Sequence, residues 1–107
     1  MTVTILIVDD HIANRRGVRA ILQGRDGFEV IAEAGTGIEA IDLATSHKPD
    51  VAVIDYSLPA MNGSQLTRRI REASPRTEVL VYTMHESDAL VRDVLGAGAR
   101  GYLLKSV

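Results

Sequence analysis

The sequence predicts an α/β fold: a doubly wound, five-stranded parallel sheet with helices on both faces. Two observations predict it. Val3 to Val8, Val51 to Ile54 and Val79 to Tyr82 are short, β-branched apolar runs without polar alternation, the pattern of parallel strands buried on both faces. Helical stripes lie between them, so strand and helix alternate through five strands and four helices, and right-handed crossovers then wind the helices onto both sides of one sheet.

In chain order, the first strand, Val3 to Val8, leads to a helix with its stripe at Val18, Ile21 and Leu22. Gly17 sits inside that helix, where glycine costs about 1 kcal/mol relative to alanine, and close helix packing would be a reason for it. Gly24 and Gly27 flank Asp26 at the turn into a weaker strand, Phe28 to Ala34. Gly35 and Gly37 open a second helix with Ile38 and Ile41 inward, and Pro49 before Asp50 closes it. After the third strand, a third helix presents Leu66, Ile70 and Ala73 and stops at Ser74 and Pro75. The fourth strand precedes a helix carrying Leu90, Val91, Val94 and Leu95, and Gly101 to Leu104 is a second weak strand. The sequence stops two residues after Lys105. A fifth helix covering the face beside the first would be expected there, so the reading is one domain over residues 1–107 with that helix missing.

A chain of 107 residues suits one domain. With 46% hydrophobic and 24% charged residues it has the composition of an ordinary globular protein. A formal net charge of −2 argues against a surface built to neutralise nucleic-acid phosphates, so any DNA contact is expected from another domain. There is no cysteine, hence no disulfide and no thiolate metal site. No apolar run is long enough to span a bilayer and no export signal precedes the first strand, so no membrane partner and a cytoplasmic address are expected.

Ligands of open parallel sheets bind beyond the carboxyl ends of the strands. Asp9 and Asp10 end the first strand, Asp55 the third and Thr83 the fourth, while Lys105 follows the fifth. Three carboxylates held together repel, by about 4 kcal/mol for a pair about 4 Å apart at an effective dielectric near 20. Lys105 offsets part of this. An all-oxygen site with few protein ligands suits magnesium, which keeps several waters and adds phosphate oxygens, and manganese should substitute. A carboxylate beside a divalent cation and a lysine is poised to attack phosphorus and form an aspartyl phosphate, with Asp55 as nucleophile. Asp10 would ligate the metal directly, Asp9 directly or through water, and the carbonyl of Ser57 would be a further ligand.

The ordered set VDDH at residues 8 to 11, VIDYSLPAMNG at 53 to 63, YTMH at 82 to 85 and GYLLKS at 101 to 106 resembles the receiver domains of two-component response regulators over essentially the whole chain. The stretch YTMHESDALVRDVLGAGARGYLLK is most similar to receivers of the LuxR-type (NarL/FixJ) transcription regulators. The resemblance implies a flavodoxin-like strand order 2-1-3-4-5. It implies Asp55 as phospho-acceptor, Asp9, Asp10 and the Ser57 carbonyl around magnesium, Lys105 on the phosphoryl group, and Thr83 and Tyr102 as a switching hydroxyl and aromatic. The implied partners are a sensor histidine kinase or phosphotransfer protein, a second copy on phosphorylation, and DNA through a C-terminal domain absent from this sequence. Met84 is bulkier than the small residue common after the threonine, which would restrict access to Asp55.

Blander readings compete at several positions. Asp9 and Asp10 also suit an N-cap of the first helix, Asp55 a turn-capping surface carboxylate, and Tyr102 simple packing. His11, His47 and His85 show no metal or catalytic spacing, and Arg68, Arg69, Arg71 and Arg76 read as a solvated helix face. Among functions, an aspartate-nucleophile phosphohydrolase usually wants a second acid two residues after the nucleophile, where Ser57 stands. A flavodoxin-like cofactor binder wants a neutral phosphate loop, where Asp9 and Asp10 would repel the phosphate. A degenerate receiver, acting only as a protein-interaction module, is the other alternative.

Overall fold

The computed structural model describes residues 2–84 and 87–105. Five strands, β1 (Val3–Val8), β2 (Phe28–Ala34), β3 (Val51–Asp55), β4 (Glu78–Thr83) and β5 (Gly101–Leu104), alternate with four helices, α1 (Ile12–Gln23), α2 (Gly37–His47), α3 (Gly63–Ala73) and α4 (Asp88–Gly96). All pairings are parallel, as the sequence predicts, and the strand order is β2-β1-β3-β4-β5, as the resemblance implies. The two strands with the weakest sequence signal are the two edges, each lacking a strand neighbour on one side among the described residues. Burial is correspondingly incomplete there, and β5 keeps no fully buried residue.

Side-chain chemistry fixes the helix starts. Asn62 and Gln65 form a reciprocal capping box at α3, with bonds of 2.9 and 3.0 Å. Thr36 accepts from Glu39 N–H at α2, and Ser87 accepts from Leu90 N–H at α4. The turn of Ser74 and Pro75 is closed by Thr77, whose hydroxyl donates to the Pro49 carbonyl at 2.6 Å. Gly27 lies at φ 87°, a conformation that favours glycine, just ahead of β2. The helix α1 has His11 at its N-cap position and no side-chain cap. The N-cap reading of Asp9 and Asp10 is therefore corrected.

The sheet's strand parity sorts the core into two clusters. On one face Leu6, Val8, Ile54, Val79 and Val81 pack with Ala40 and Ala44 of α2, Leu66 and Ile70 of α3 and Val94 of α4. On the other, Ile5, Ile7, Val30, Val53 and Tyr82 meet Val18 and Leu22 of α1.

Three stripe assignments need correction. Ile21, Ile38 and Leu95 are exposed, Ile38 at 72%. In α2 the buried side is made by Gly37, Ala40 and Ala44, because the small residues let the helix lie close to the sheet while Ile38 faces outward. No residue of α1 is fully buried. The packing reason offered for Gly17 also fails, since a Cβ there would meet nothing within 4 Å among the described residues.

Candidate functional site

The carboxyl edge of the sheet gathers its polar residues by register. In β3 and β4 Asp55 is paired with Tyr82, so both side chains leave the same face. Asp9 continues the alternation of β1 on that face, anchored as its N–H donates to the Ala34 carbonyl at 3.0 Å. Lys105 follows β5, held as its N–H donates to the Thr83 carbonyl at 2.6 Å.

Asp9 is completely buried and Asp55 nearly so. Lys105 Nζ lies 3.6 Å from Asp9 Oδ2 and 3.5 Å from Asp55 Oδ1, bridging the two carboxylates. Asp9 Oδ1 accepts from the His11 N–H at 2.9 Å, and Asp9 Oδ2 accepts from the Tyr82 hydroxyl at 2.5 Å. Asp55 Oδ1 accepts from the Ser57 N–H at 3.2 Å. The Lys105 ammonium also sits 4.4 Å from the centroid of the Tyr82 ring.

These contacts push the two carboxyls in opposite directions. Burial alone would raise Asp9, but the bonds from Tyr82 and His11 and the Lys105 charge leave it below the ordinary carboxylate range. Burial also dominates at Asp55; the Ser57 N–H and Lys105 oppose it, the Asp9 charge adds to it, and the result lies above the ordinary value. Tyr82 is raised far above a free phenol by burial and by its bond to Asp9, so it stays a proton donor.

Asp9, Asp10, His11 and Asp55 each bring a ligand atom within 4.8 Å of the others. Asp10 Oδ1 is buried and accepts no hydrogen bond from the described residues, its neighbour being the His11 Nδ1 at 3.0 Å. A buried carboxylate oxygen that accepts no hydrogen bond, beside two further carboxylates, fits a hard divalent cation that prefers oxygen ligands. A small cleft of about 130 Å³ opens above Asp55, lined by His11, Asn14, Asp55, Ser57, Met84 and Lys105. Met84 is exposed on its rim, where the sequence expects it to limit access.

Of the residues singled out in sequence, Asp9, Asp10, Asp55, Ser57 and Lys105 converge here. Thr83 is buried at the end of β4, next to Asp55's strand. Tyr102 is paired with Val81 in β5, which puts it on the opposite face from Tyr82, partly exposed. His47 bonds the Leu43 carbonyl on α2, away from the site; His85 falls outside the described residues. Two participants are missing from the sequence reading. His11 reads there like the other histidines, although it adjoins Asp10. Tyr82 reads as one more apolar strand residue, although a phenol in a buried strand needs a hydrogen-bond partner and shares Asp55's parity.

The profile of the response regulator receiver domain matches residues 5–107. The chain is 39% identical over 105 residues to "Transcriptional regulatory protein DegU" of Brevibacillus brevis, covering 98% of this chain and 44% of that protein. It is 40% identical over 101 residues to "Nitrate/nitrite response regulator protein NarP" of Escherichia coli K12, covering 94% and 47% respectively. The chain thus spans about half the length of the curated relatives it matches. Among solved structures, the signal receiver domain of the putative response regulator NarL from Mycobacterium tuberculosis superposes with a TM-score of 0.93 at 37% identity, over 99% of this chain and 86% of that one. No helix among the described residues is long and apolar enough to cross a membrane.

Proposed function

The chain belongs to the response regulator receiver domain family, and from that premise we propose that Asp55 accepts a phosphoryl group and that the acylphosphate switches an output surface. The observation that carries this reading is a buried Asp55 carboxylate bridged to Asp9 by Lys105 at the floor of an open cleft.

In the transfer, an Asp55 oxygen forms a bond to phosphorus as the bond from phosphorus to the donor breaks. The donor is a phosphohistidine of a sensor kinase or phosphotransfer protein, or a small acyl phosphate, and the electron pair leaves with its imidazole or carboxylate. Lys105 is close enough to follow the charge from the Asp55 carboxylate onto the phosphoryl oxygens. The Ser57 N–H orients Asp55. Magnesium, held by Asp10, Asp55 and the Ser57 carbonyl with Asp9 beside them, would supply charge neutralisation for the transferring oxygens. Thr83 would turn toward the phosphoryl group, and through β5 that change would reach Tyr102, biasing a two-state surface.

The domain's partners in this reading are a histidine kinase and, after phosphorylation, a second copy. By likeness to relatives named as transcriptional regulators, DNA would be contacted through a C-terminal domain outside this sequence, in the cytoplasm. Intact-mass spectrometry after incubation with acetyl phosphate and magnesium tests the central step. A metal-dependent gain of one phosphoryl group, absent in Asp55→Asn, is the expected result. No gain in the unaltered protein, with no binding of beryllofluoride, would leave an interaction module instead, and a label retained by Asp55→Asn would sink the site assignment.

A further inference from the structure

The two neighbouring carboxylates Asp9 and Asp10 are treated differently by the protein. Both oxygens of Asp9 are occupied: Oδ1 by the His11 N–H at 2.9 Å, and Oδ2 by the Tyr82 hydroxyl at 2.5 Å, with Lys105 Nζ 3.6 Å away. Asp10 Oδ1 is buried and takes no hydrogen bond from the described residues, with the His11 Nδ1 3.0 Å away as its neighbour. The hydroxyl on Asp9 Oδ2 traces to one residue of β4. Its position faces the apolar cluster of Ile5, Ile7, Val30 and Val53, where a purely aliphatic side chain would satisfy the packing. Tyrosine instead carries a hydroxyl to the carboxyl edge, and a buried phenol must find an acceptor.

A hydroxyl proton and a metal ion compete for the same lone pairs. We infer that Tyr82 is a positioning residue that withholds Asp9 Oδ2 from direct ligation of a divalent ion. The same ring seats the Lys105 ammonium from below. Tyr82 thereby sets both how tightly the pocket takes a divalent ion and where the phosphoryl-facing cation rests. The inference rests on the metal-assisted reading of the site and specifies how that site is tuned.

Calorimetric titration of Mg2+, with Mn2+ as a second probe, separates the two roles. Tyr82→Phe keeps the ring and removes the proton, so Asp9 Oδ2 becomes available and divalent affinity should rise roughly tenfold, the scale of one charge-assisted hydrogen bond lost from the metal-free state. In an Asp9→Asn background the same change should give no comparable gain, because the competed carboxylate is now a neutral amide. Tyr82→Leu should also tighten the metal but slow phosphorylation by acetyl phosphate relative to Tyr82→Phe, since Lys105 has lost its seat. It also serves as the second variant if Tyr82→Phe folds poorly. Affinity within about twofold of the unaltered protein in Tyr82→Phe, a weaker affinity, or a gain that persists with Asp9→Asn would each overturn the inference while leaving the phospho-acceptor reading intact. Failure of the unaltered protein to bind either ion would overturn both.

Discussion

Among the described residues, the two faces of the sheet carry layers of unequal thickness. On the side of α2, α3 and α4, the described residues include fourteen buried apolar side chains in one cluster, among them the fully buried Leu6, Ile54, Leu66 and Ile70. On the side of α1 the corresponding cluster has five, and Ile21 and Leu103 stand exposed near it. Yet strand parity places the candidate site on the thin side: Asp9, Asp55, Tyr82 and Lys105 all meet there. Among the described residues, the larger core cluster and the candidate site thus lie on opposite faces of one sheet. The thick face fixes the strands against each other, so the strand ends hold two buried carboxylates at fixed distances from one ammonium.

The largest effect should come from removing a side chain on the thick face. Leu66→Ala deletes a fully buried side chain between α3 and the sheet and is expected to cost about 2–5 kcal/mol, a large share of a small domain's stability. Ile21→Ala on α1 should stay within about 0.5 kcal/mol, because that side chain is 66% exposed. Urea unfolding of the two variants measures both. Comparable losses would break the comparison and mean that the α1 face is covered in solution.

An intermediate effect, of opposite sign at the two buried carboxyls, sharpens it. Asp55 is raised in the folded protein, chiefly by burial, so its ionisation opposes folding at any pH above its folded value, and that penalty disappears as the pH falls below the unfolded value near 3.8. Asp55→Asn should therefore raise the melting temperature at pH 7, with the advantage gone below about pH 3.8. Asp9 is lowered, so its contribution to stability is complete above 3.8 and is lost as the pH falls through its folded value. Asp9→Asn should destabilise at pH 7. Melting curves across this range would refute the assignment if both variants moved the same way.

Much of this division was legible in the sequence. The unalternating runs of β1, β3 and β4 marked central strands, because burial on both faces removes any polar constraint. Their terminal Asp9, Asp55 and Thr83, with Lys105, marked the carboxyl edge where the structure gathers the polar residues. What escaped was anything decided by parity or by depth. Ile38 has helical spacing with Ile41, but α2 approaches the sheet through Ala40 and Ala44, and spacing alone does not say which neighbours a helix will meet. Gly17 suggested close packing, yet the structure leaves its surroundings open. Tyr82 looked aliphatic in context, and only the pairing of Asp55 with Tyr82 makes its hydroxyl part of the site.

The smallest effect tests how much strain the thick face absorbs. Two residues on loops bordering it, Lys48 at φ 47° and Ala60 at φ 65°, adopt the left-handed conformation without being glycine. A Cβ in that region costs about 1 kcal/mol or slightly more. Ala60 lies in the β3–α3 loop, which is tied down as the Met61 N–H donates to the Pro59 carbonyl and the Gly63 N–H to the Tyr56 carbonyl at 2.8 Å each. Surrounding bonds therefore hold the alanine in place against its own preference. Ala60→Gly relieves the clash but adds freedom to the unfolded chain, so the net gain should be about 0.5 kcal/mol, visible as a slightly higher urea midpoint with unchanged slope. A loss of stability instead would mean that the alanine methyl makes packing contacts worth more than the strain it causes.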